Sequence, residues 1–311
     1  MSGKLSNVSL LNEQGICLLS LDGGGVRGLS SLHVLKRIMD GYNVERKRNG
    51  KNPQKPSEVF DLIGGTSTGG LIAIMLGRLG MDVDECINSY NNLIRVIFSN
   101  QSRVHQSKFS LRGQTQARFD SKTLESAINK TIRERGLSPT DKMLEATEPS
   151  CKVERQTDGL GKILSIQDMS FADGAFGANN PVEQVEDEAT EIWCSETGNI
   201  KPLVKCFISI GTGNMGTYDI NDRVDKFVAT LAKMSTDAER VAEAFMSRWR
   251  QHYDQGRYFR FNVENGLKSV GMKEYRKKGE IQGATYRYLD SQAQSLLLRK
   301  CIENLALKQG G

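Results

Sequence analysis

Short apolar runs alternate along the chain with longer stretches in which apolar residues recur at helical spacing. Ile16 to Leu21 (ICLLSL) is almost continuously apolar and ends at Asp22 and three glycines. Val59 to Ile63 (VFDLI) and Leu203 to Ile210 (LVKCFISI) have the same character, and glycines follow each of them. Because a strand that is buried on both faces has no polar side, such runs are typical of a parallel sheet. The pattern therefore predicts three strands of one buried sheet.

Helical spacing predicts the elements between these strands. A capping box of Asp82 and Glu85 opens one of the helices, with Asp in place of Ser or Thr. The run from Tyr258 to Val263 alternates like a strand with one exposed face. The other expected helices run through Leu32 to Tyr42, through Leu71 to Leu79, from Ser121, as one or two helices from Asp222 to about Gln255, and from Asp290 to Leu307. Strand, glycine turn and helix follow one another twice, which predicts a three-layer α/β/α fold around a mostly parallel sheet.

The 311 residues are enough for one large domain, and no Pro- or Gly-rich linker divides them. We predict a single domain over residues 1–311. Within it, residues 1–14 form an N-terminal extension and residues 15–216 a catalytic core that holds the motifs described below. Residues 217–311 add C-terminal helices and a strand that pack on this core.

Charge and cysteine content narrow the class of protein. The 42 basic and 37 acidic residues give a net charge of +5 and are interspersed, which argues against a nucleic-acid partner. Six scattered cysteines have no metal-binding spacing to the three histidines, so no metal and no cofactor are expected. The N-terminus lacks the apolar region of a signal peptide, and no apolar run reaches the ~20 residues of a membrane span. We therefore expect a cytoplasmic protein that contacts membranes only peripherally.

A candidate nucleophile lies in Gly65-Thr66-Ser67-Thr68-Gly69, between a predicted strand and a predicted helix. A serine in this setting occupies a sharp turn, and flanking glycines relieve crowding against the neighbouring strand and helix. The turn would raise the Ser67 hydroxyl above the sheet, next to the helix N-terminus. A simple tight turn is the alternative interpretation of the same residues.

A second glycine-rich turn, Asp22 to Gly28 (DGGGVRG), also joins a strand to a helix. Consecutive glycines let backbone N–H groups converge on an anion, so this loop could bind the oxyanion that forms from an ester carbonyl. GGGVRG also satisfies the G-x-G-x-x-G pattern of a dinucleotide-binding loop. That alternative lacks the acidic residue expected about 20 residues later at the end of a second strand.

Asp173, in Asp173-Gly174-Ala175, is the candidate base for the Ser67 proton. An aspartate before a glycine is an ordinary turn in most proteins, and it gains meaning here from the candidate serine. Histidine is the commoner base, and His252 follows Ser67 and Asp173 in hydrolase chain order. It lies in a polar helical stretch without a loop signature, as a surface histidine would.

Together these motifs resemble the patatin-like phospholipases. The resemblance rests on LLSLDGGGVRGLSSLHVL, EVFDLIGGTSTGGLIAIMLGRL, DGAFGANNPVEQVEDEA and KCFISIGTG. It implies a Ser67–Asp173 dyad without histidine, and Gly65 and Gly69 as the flanks of the nucleophile turn. It also implies an oxyanion hole formed by the loop residues Gly23, Gly24, Gly25, Arg27 and Gly28. The implied substrate is a phospholipid or another acyl lipid.

One departure from the family pattern follows the predicted strand at Val153. Family members have a longer stretch before the aspartate, with an extra strand and an alanine-rich helix, whereas here Asp173 follows after 173 − 153 = 20 residues. The chain therefore resembles a family member with a deletion between Val153 and Asp173. The main expectation is a lipid acyl hydrolase that works through an acyl-enzyme. The alternatives are a catalytically impaired module that binds lipid or a protein partner, and a nucleotide-binding protein that uses residues 23–28.

Overall fold

The computed structural model describes residues 15–99, 121–140, 152–153, 179–214, 226–267, 270 and 274–308. Its strands are β1 Ile16–Leu21, β2 Leu62–Gly65, β3 Lys152–Val153, β4 Val204–Ile210 and β5 Tyr258–Phe261. Its helices are α1 Gly28–Arg48, α2 Pro56–Val59, α3 Thr68–Leu76, α4 Val83–Ser99, α5 Ser121–Arg133, α6 Val182–Cys194, α7 Lys226–Arg248, α8 Arg250–Asp254, α9 Lys278–Leu289 and α10 Gln292–Ala306. Single 3₁₀ turns precede α1 and β4. The predicted N-terminal extension, residues 1–14, lies outside the described residues.

The strands form one sheet in the order β3-β2-β1-β4-β5, and every neighbouring pair is parallel. β1 lies at the centre, where Leu19 pairs with Ile63 of β2 on one side and with Ile208 of β4 on the other. β1, β2, β4 and β5 are buried along their whole length. For β1, β2 and β4 the continuous apolar runs predict this burial.

Helices cover both faces of the sheet. On one face, α1, α3, α4, α9 and α10 pack around a large apolar cluster that includes Leu19 and Ile208. On the other face, α6 and α7 pack on a smaller cluster that includes Leu18 and Phe207. Successive residues of a strand point to opposite faces, so one apolar run supplies both clusters. The predicted three-layer α/β/α fold with a parallel sheet is confirmed.

Several predicted elements are confirmed with small shifts. Asp82 and Glu85 form the reciprocal capping box of α4, in which each backbone N–H donates to the other residue's carboxylate at 2.9 and 2.8 Å. β2 begins three residues later than the apolar run at Val59, because Pro56 starts the short helix α2. The Lys55 N–H donates to the Glu58 carboxylate at 2.6 Å and closes that helical turn.

The C-terminal part departs further from the sequence expectation. β5 is the last strand in the order of the sheet and pairs with β4; both of its faces are buried, so the expectation of one exposed face is wrong. The sequence pattern also missed α9, which packs on α1 beside α10. The first turn of α9, at Lys278, is polar and follows a basic run. Such a sequence is typical of a solvated surface loop, so the pattern did not predict a helix here.

All five strands point the same way, so the loops that follow them meet at the carboxyl edge of the sheet. From β1 the chain crosses to β2 on the α1 face, whereas β4 is reached through α6 on the opposite face. Such a reversal between neighbouring strands opens a crevice at their carboxyl ends, where α/β proteins bind ligands. The loop after β1 contains the three glycines, and Gly211 begins the loop after β4.

Candidate active site

Ser67 lies at this carboxyl edge, directly after β2 and directly before α3. Its backbone has φ 54° and ψ −119°, and it is the one non-glycine residue of the described part with a positive φ. A side chain in this region of φ/ψ space is strained, and such strain is typical of a nucleophile held on a strand-to-helix turn. Ser67 is half-buried, and its hydroxyl makes no hydrogen bond with a described residue.

The two glycines that flank Ser67 are required by close backbone packing. A Cβ on Gly65 would lie 2.3 Å from the Gly69 carbonyl, inside the first turn of α3. A Cβ on Gly69 would lie 2.4 Å from the Leu21 oxygen and 2.6 Å from the Asp22 oxygen, at the end of β1. All three distances are well below carbon–oxygen contact, so the turn cannot take this shape with larger residues.

The glycine loop, residues 22–28, packs against the Ser67 turn. A Cβ on Gly23 would lie 3.5 Å from the Ser67 Cβ. The Gly23 N–H donates to the Asn179 carbonyl at 3.0 Å, and the Gly24 N–H donates to the Thr68 hydroxyl at 3.4 Å. Gly25, with φ 57°, has no acceptor for its N–H among the described residues. Of the three glycines, Gly25 therefore offers a backbone donor without displacing a described protein acceptor.

Tyr90 of α4 contacts the glycine loop from the α1 face of the sheet, and the sequence did not predict this contact. Its hydroxyl donates to the Gly25 carbonyl, and the side chain is fully buried. Burial raises the pKa of Tyr90, so this hydroxyl stays protonated and remains a donor. A Cβ on Gly28 would lie 2.4 Å from the Tyr90 oxygen, which explains the glycine that begins α1.

The loop after β4 holds the glycine loop from the other side. The Thr212 hydroxyl donates to the Gly23 carbonyl at 2.9 Å, and its side chain fills the space that a Gly24 Cβ would occupy. Arg27 is 1% exposed, and its guanidinium donates to the Gly213 carbonyl at 3.3 Å. Arg27 and Gly28 therefore contribute to the shape of the loop through packing.

A buried ion pair at the start of the glycine loop was also missed. Arg260 of β5 donates to both carboxylate oxygens of Asp22, at 2.9 and 2.7 Å. Burial raises the pKa of Asp22, and the Arg260 guanidinium opposes that shift. In the sequence, the alternating run makes Arg260 resemble a solvent-facing residue, whereas helices cover both faces of a parallel sheet.

Asp173 and the residues from 154 to 172 lie outside the described residues, as does His105. The structure does describe the end of the DGAFGANNP motif to which Asp173 belongs, from Asn179 onward. The Asn179 carbonyl accepts a hydrogen bond from the glycine loop. The Asn180 side-chain amide donates to the Ala238 carbonyl of α7 at 3.2 Å, and its side-chain oxygen accepts the Val182 N–H at 3.2 Å. Asp173 precedes Asn179 by six residues, which span at most about 20 Å when extended.

The two described histidines have other surroundings. His252 lies within 2.9 Å of the Lys201 carbonyl and packs on Trp249. Lys201 precedes β4, so His252 lies at the amino edge of the sheet, opposite to Ser67. His33 packs against Tyr286 of α9 and is 6% exposed. Burial lowers the pKa of both rings, so both are neutral near pH 7.

The described residues contain no group of three or more His, Cys, Asp or Glu side chains placed to hold a metal ion. Within the same described ranges, no helix is both long and apolar enough to cross a membrane.

Comparison with known proteins finds similar sequences among phospholipases. The chain is 36% identical over 122 residues to the human calcium-independent phospholipase A2-gamma, a match that covers 39% of this chain and 14% of that protein. It is 34% identical over 134 residues to the cUMP-AMP-activated phospholipase of Escherichia coli, covering 41% and 38%. It is 28% identical over 225 residues to the cGAMP-activated phospholipase of Vibrio cholerae, covering 60% and 62%. The chain thus spans less than two thirds of the length of each of these relatives.

The family that matches is "Patatin-like phospholipase", over residues 19–164. This range contains the glycine loop and Ser67 and ends before Asp173. The resemblance predicted from the sequence motifs is confirmed, since residues 19–164 match the patatin-like phospholipase family.

Proposed function

We propose that this chain is a lipid acyl hydrolase in which Ser67 is the nucleophile and Asp173 the base. The observation that carries the proposal is the strained backbone of Ser67 next to the glycine loop. A Cβ on Gly23 would lie 3.5 Å from the Ser67 Cβ. A strained serine beside a glycine loop at the carboxyl edge of a parallel sheet is an arrangement suited to acyl transfer, with a nucleophile next to backbone donors. The phospholipase names of the relatives support a lipid ester as substrate.

In the proposed reaction, the Ser67 oxygen attacks the ester carbonyl carbon while its proton passes to the Asp173 carboxylate. The electron pair of the carbonyl moves to its oxygen, which receives hydrogen bonds from the glycine loop. The tetrahedral intermediate then collapses and expels the lipid alcohol, which takes the proton from Asp173. Water then attacks the acyl-enzyme and gives its proton to Asp173. The second tetrahedral intermediate collapses, the Ser67 oxygen takes that proton back from Asp173, and a fatty acid leaves.

The donors of this oxyanion hole follow from the bonds inside the loop. Gly25 is the first candidate, since its N–H has no described acceptor. Gly24 is the second, because its bond to the Thr68 hydroxyl is long at 3.4 Å and a full negative charge would compete with it. The Gly23 N–H, at 3.0 Å from the Asn179 carbonyl, would have to leave a well-formed bond.

Nucleotide binding has less support. In dinucleotide-binding folds an acidic residue at the end of the second strand binds the ribose. Here β2 ends at Gly65, and Thr66 and Ser67 follow. The Thr212 side chain also packs on the glycine loop from the crevice side. We therefore retain hydrolysis as the proposed function, with a lipid surface as the expected site of contact.

Ser67→Ala tests the proposal, with Ser195→Ala as the control, since Ser195 is an exposed serine after α6. The parent chain and the control should react with a fluorophosphonate probe and release fatty acid from phosphatidylcholine vesicles. Ser67→Ala should lose both signals, because losing a nucleophile lowers kcat by several orders of magnitude. Vesicle binding by the parent without labelling or hydrolysis would instead support an impaired lipid-binding module.

A further inference from the structure

The buried side chain of Arg260 connects three parts of the candidate site that are far apart in sequence. Its guanidinium makes a two-pronged ion pair with Asp22, after β1, and donates to the Ser209 hydroxyl of β4 at 2.9 Å. It also donates to the Glu239 carboxylate of α7 at 3.0 Å. The side chains of Arg260 and Asp22 are 6% and 3% exposed, whereas Glu239 is 33% exposed.

This network continues into the loop after β4. Asn262, just beyond β5, donates to the same Glu239 oxygen at 2.7 Å, and its own side-chain oxygen accepts the Gly213 N–H at 2.7 Å. That loop in turn binds the glycine loop through Thr212. Asp22 is itself the first residue of the glycine loop, so Arg260 acts on the loop by two routes, one direct and one through the loop after β4.

Stability alone gives a weak reason for such an ion pair. Taking a carboxylate and a guanidinium out of water costs free energy that their attraction only partly restores, and apolar residues of similar volume are often as stable or more stable. What the pair provides is a fixed geometry, because the planar fork of an arginine holds a carboxylate in one orientation. The position held here is the exit of β1 into the three glycines, which have no side chains to fix their own conformation.

We propose that Arg260 is a positioning residue for the proposed hydrolysis, which holds Asp22 and thereby sets the direction of the glycine-loop N–H groups toward the oxyanion. The inference rests on the proposed function for its catalytic consequence. The part of the inference that concerns structure, the control of the glycine-loop conformation by Arg260, does not depend on whether the chain hydrolyses lipids.

The test compares Arg260→Lys with Lys308→Met as a matched control. Arg260→Lys keeps the positive charge but cannot make the two-pronged contact. Lys308 pairs with Asp61 at 2.6 Å, and Asp61 also accepts the Cys17 N–H at 2.7 Å. The control therefore breaks an ion pair that holds the opposite end of β1. Glu239→Gln is the milder second variant, because Glu239 is partly exposed and its replacement keeps the shape.

Two measurements on the full chain separate the outcomes. Hydrogen–deuterium exchange of the peptide that contains residues 22–28 should rise in Arg260→Lys and to a smaller extent in Glu239→Gln, but not in Lys308→Met. Kinetics on an ester substrate should show kcat lowered by about tenfold to a hundredfold in Arg260→Lys with KM within twofold, as expected for misplaced transition-state contacts. The control should keep its kcat even where its melting temperature falls.

Unchanged exchange at residues 22–28 in both Arg260→Lys and Glu239→Gln would overturn the inference. A purely structural role would lower the melting temperature and leave kcat of the folded enzyme unchanged, and this result would overturn it as well. If exchange rises as expected while the parent chain shows no hydrolysis, the proposed function fails and the control of the loop by Arg260 stands.

Discussion

Replacing Gly69 by alanine tests whether the reactivity of Ser67 depends on the close approach of α3 to β1. The new Cβ would lie 2.4 Å from the Leu21 oxygen, and a Cβ contact of this kind does not fall below 3.0 Å. The helix and the strand end must therefore move apart by at least 3.0 − 2.4 = 0.6 Å. Both contacting groups are backbone, so no side-chain rotation can relieve the clash.

The size of the effect follows from this movement. Overpacking of this kind costs about 1–3 kcal/mol, and we expect the upper half of that range because the neighbour is backbone. The better helix propensity of alanine offsets about 1 kcal/mol of the loss. A net loss of about 1–2 kcal/mol would lower the melting temperature by about 2–8 °C in a chain of this size. Since a 1 Å misplacement can cost about a hundredfold in rate, a shift of 0.6 Å should slow Ser67 by about tenfold.

The assay is the rate of labelling by a fluorophosphonate probe, measured together with the melting temperature. Gly279→Ala is the matched control, since Gly279 lies in α9 and a Cβ there would meet nothing within 4 Å. The control should label at the parent rate and melt at the parent temperature or slightly above it. If Gly69→Ala melts early but labels as fast as the parent, the position of Ser67 does not depend on this contact, and the argument for a strained nucleophile turn is refuted.

Two further predictions concern the base and the histidines. In steady-state kinetics, Asp173→Asn should abolish hydrolysis. His252→Ala should retain most of it, because His252 lies at the opposite edge of the sheet from Ser67. Equal losses in the two variants would point to a Ser–Asp–His arrangement instead. Burial lowers the pKa of His33, and the nearby Lys36 lowers it further by a smaller amount. In the unfolded chain, His33 has the ordinary histidine pKa of about 6.5. Below that pH the unfolded chain therefore binds a proton that the folded chain does not bind. Stability should therefore fall between pH 7.5 and 5.5, and urea unfolding should show a smaller fall in His33→Gln; an identical fall in both proteins would contradict this assignment.

The sequence predicted the central sheet because its strands have an unusual pattern. β1 and β4 are continuously apolar, and in a sheet covered on both faces this is the pattern that burial requires. The glycine turns were also readable, since Gly65 and Gly69 stand where packing leaves no room for a Cβ. These signals are local, and each can be read from fewer than ten consecutive residues.

The residues that the sequence did not reveal act over long distances. Arg260 is 238 residues from Asp22, and Tyr90 is 65 residues from Gly25. A charged residue in an alternating strand resembles a solvent-facing one, and a tyrosine at helical spacing resembles ordinary core. Only the order of the strands, with β5 beside β4 and β4 beside β1, shows that Arg260 reaches the start of the glycine loop.

The strand order also explains why the support for the candidate site comes from the C-terminal part of the chain. The glycine loop and Ser67 follow β1 and β2, and their α1 and α3 helices lie on one face of the sheet. On the other face, the described residues that hold the loop are Asn179, just before α6, and residues at the carboxyl ends of β4 and β5 or on α7. Thr212, Arg260 and Glu239 occupy these places. A fragment that ended before β5 would therefore keep both glycine motifs and lose the ion pair that holds Asp22.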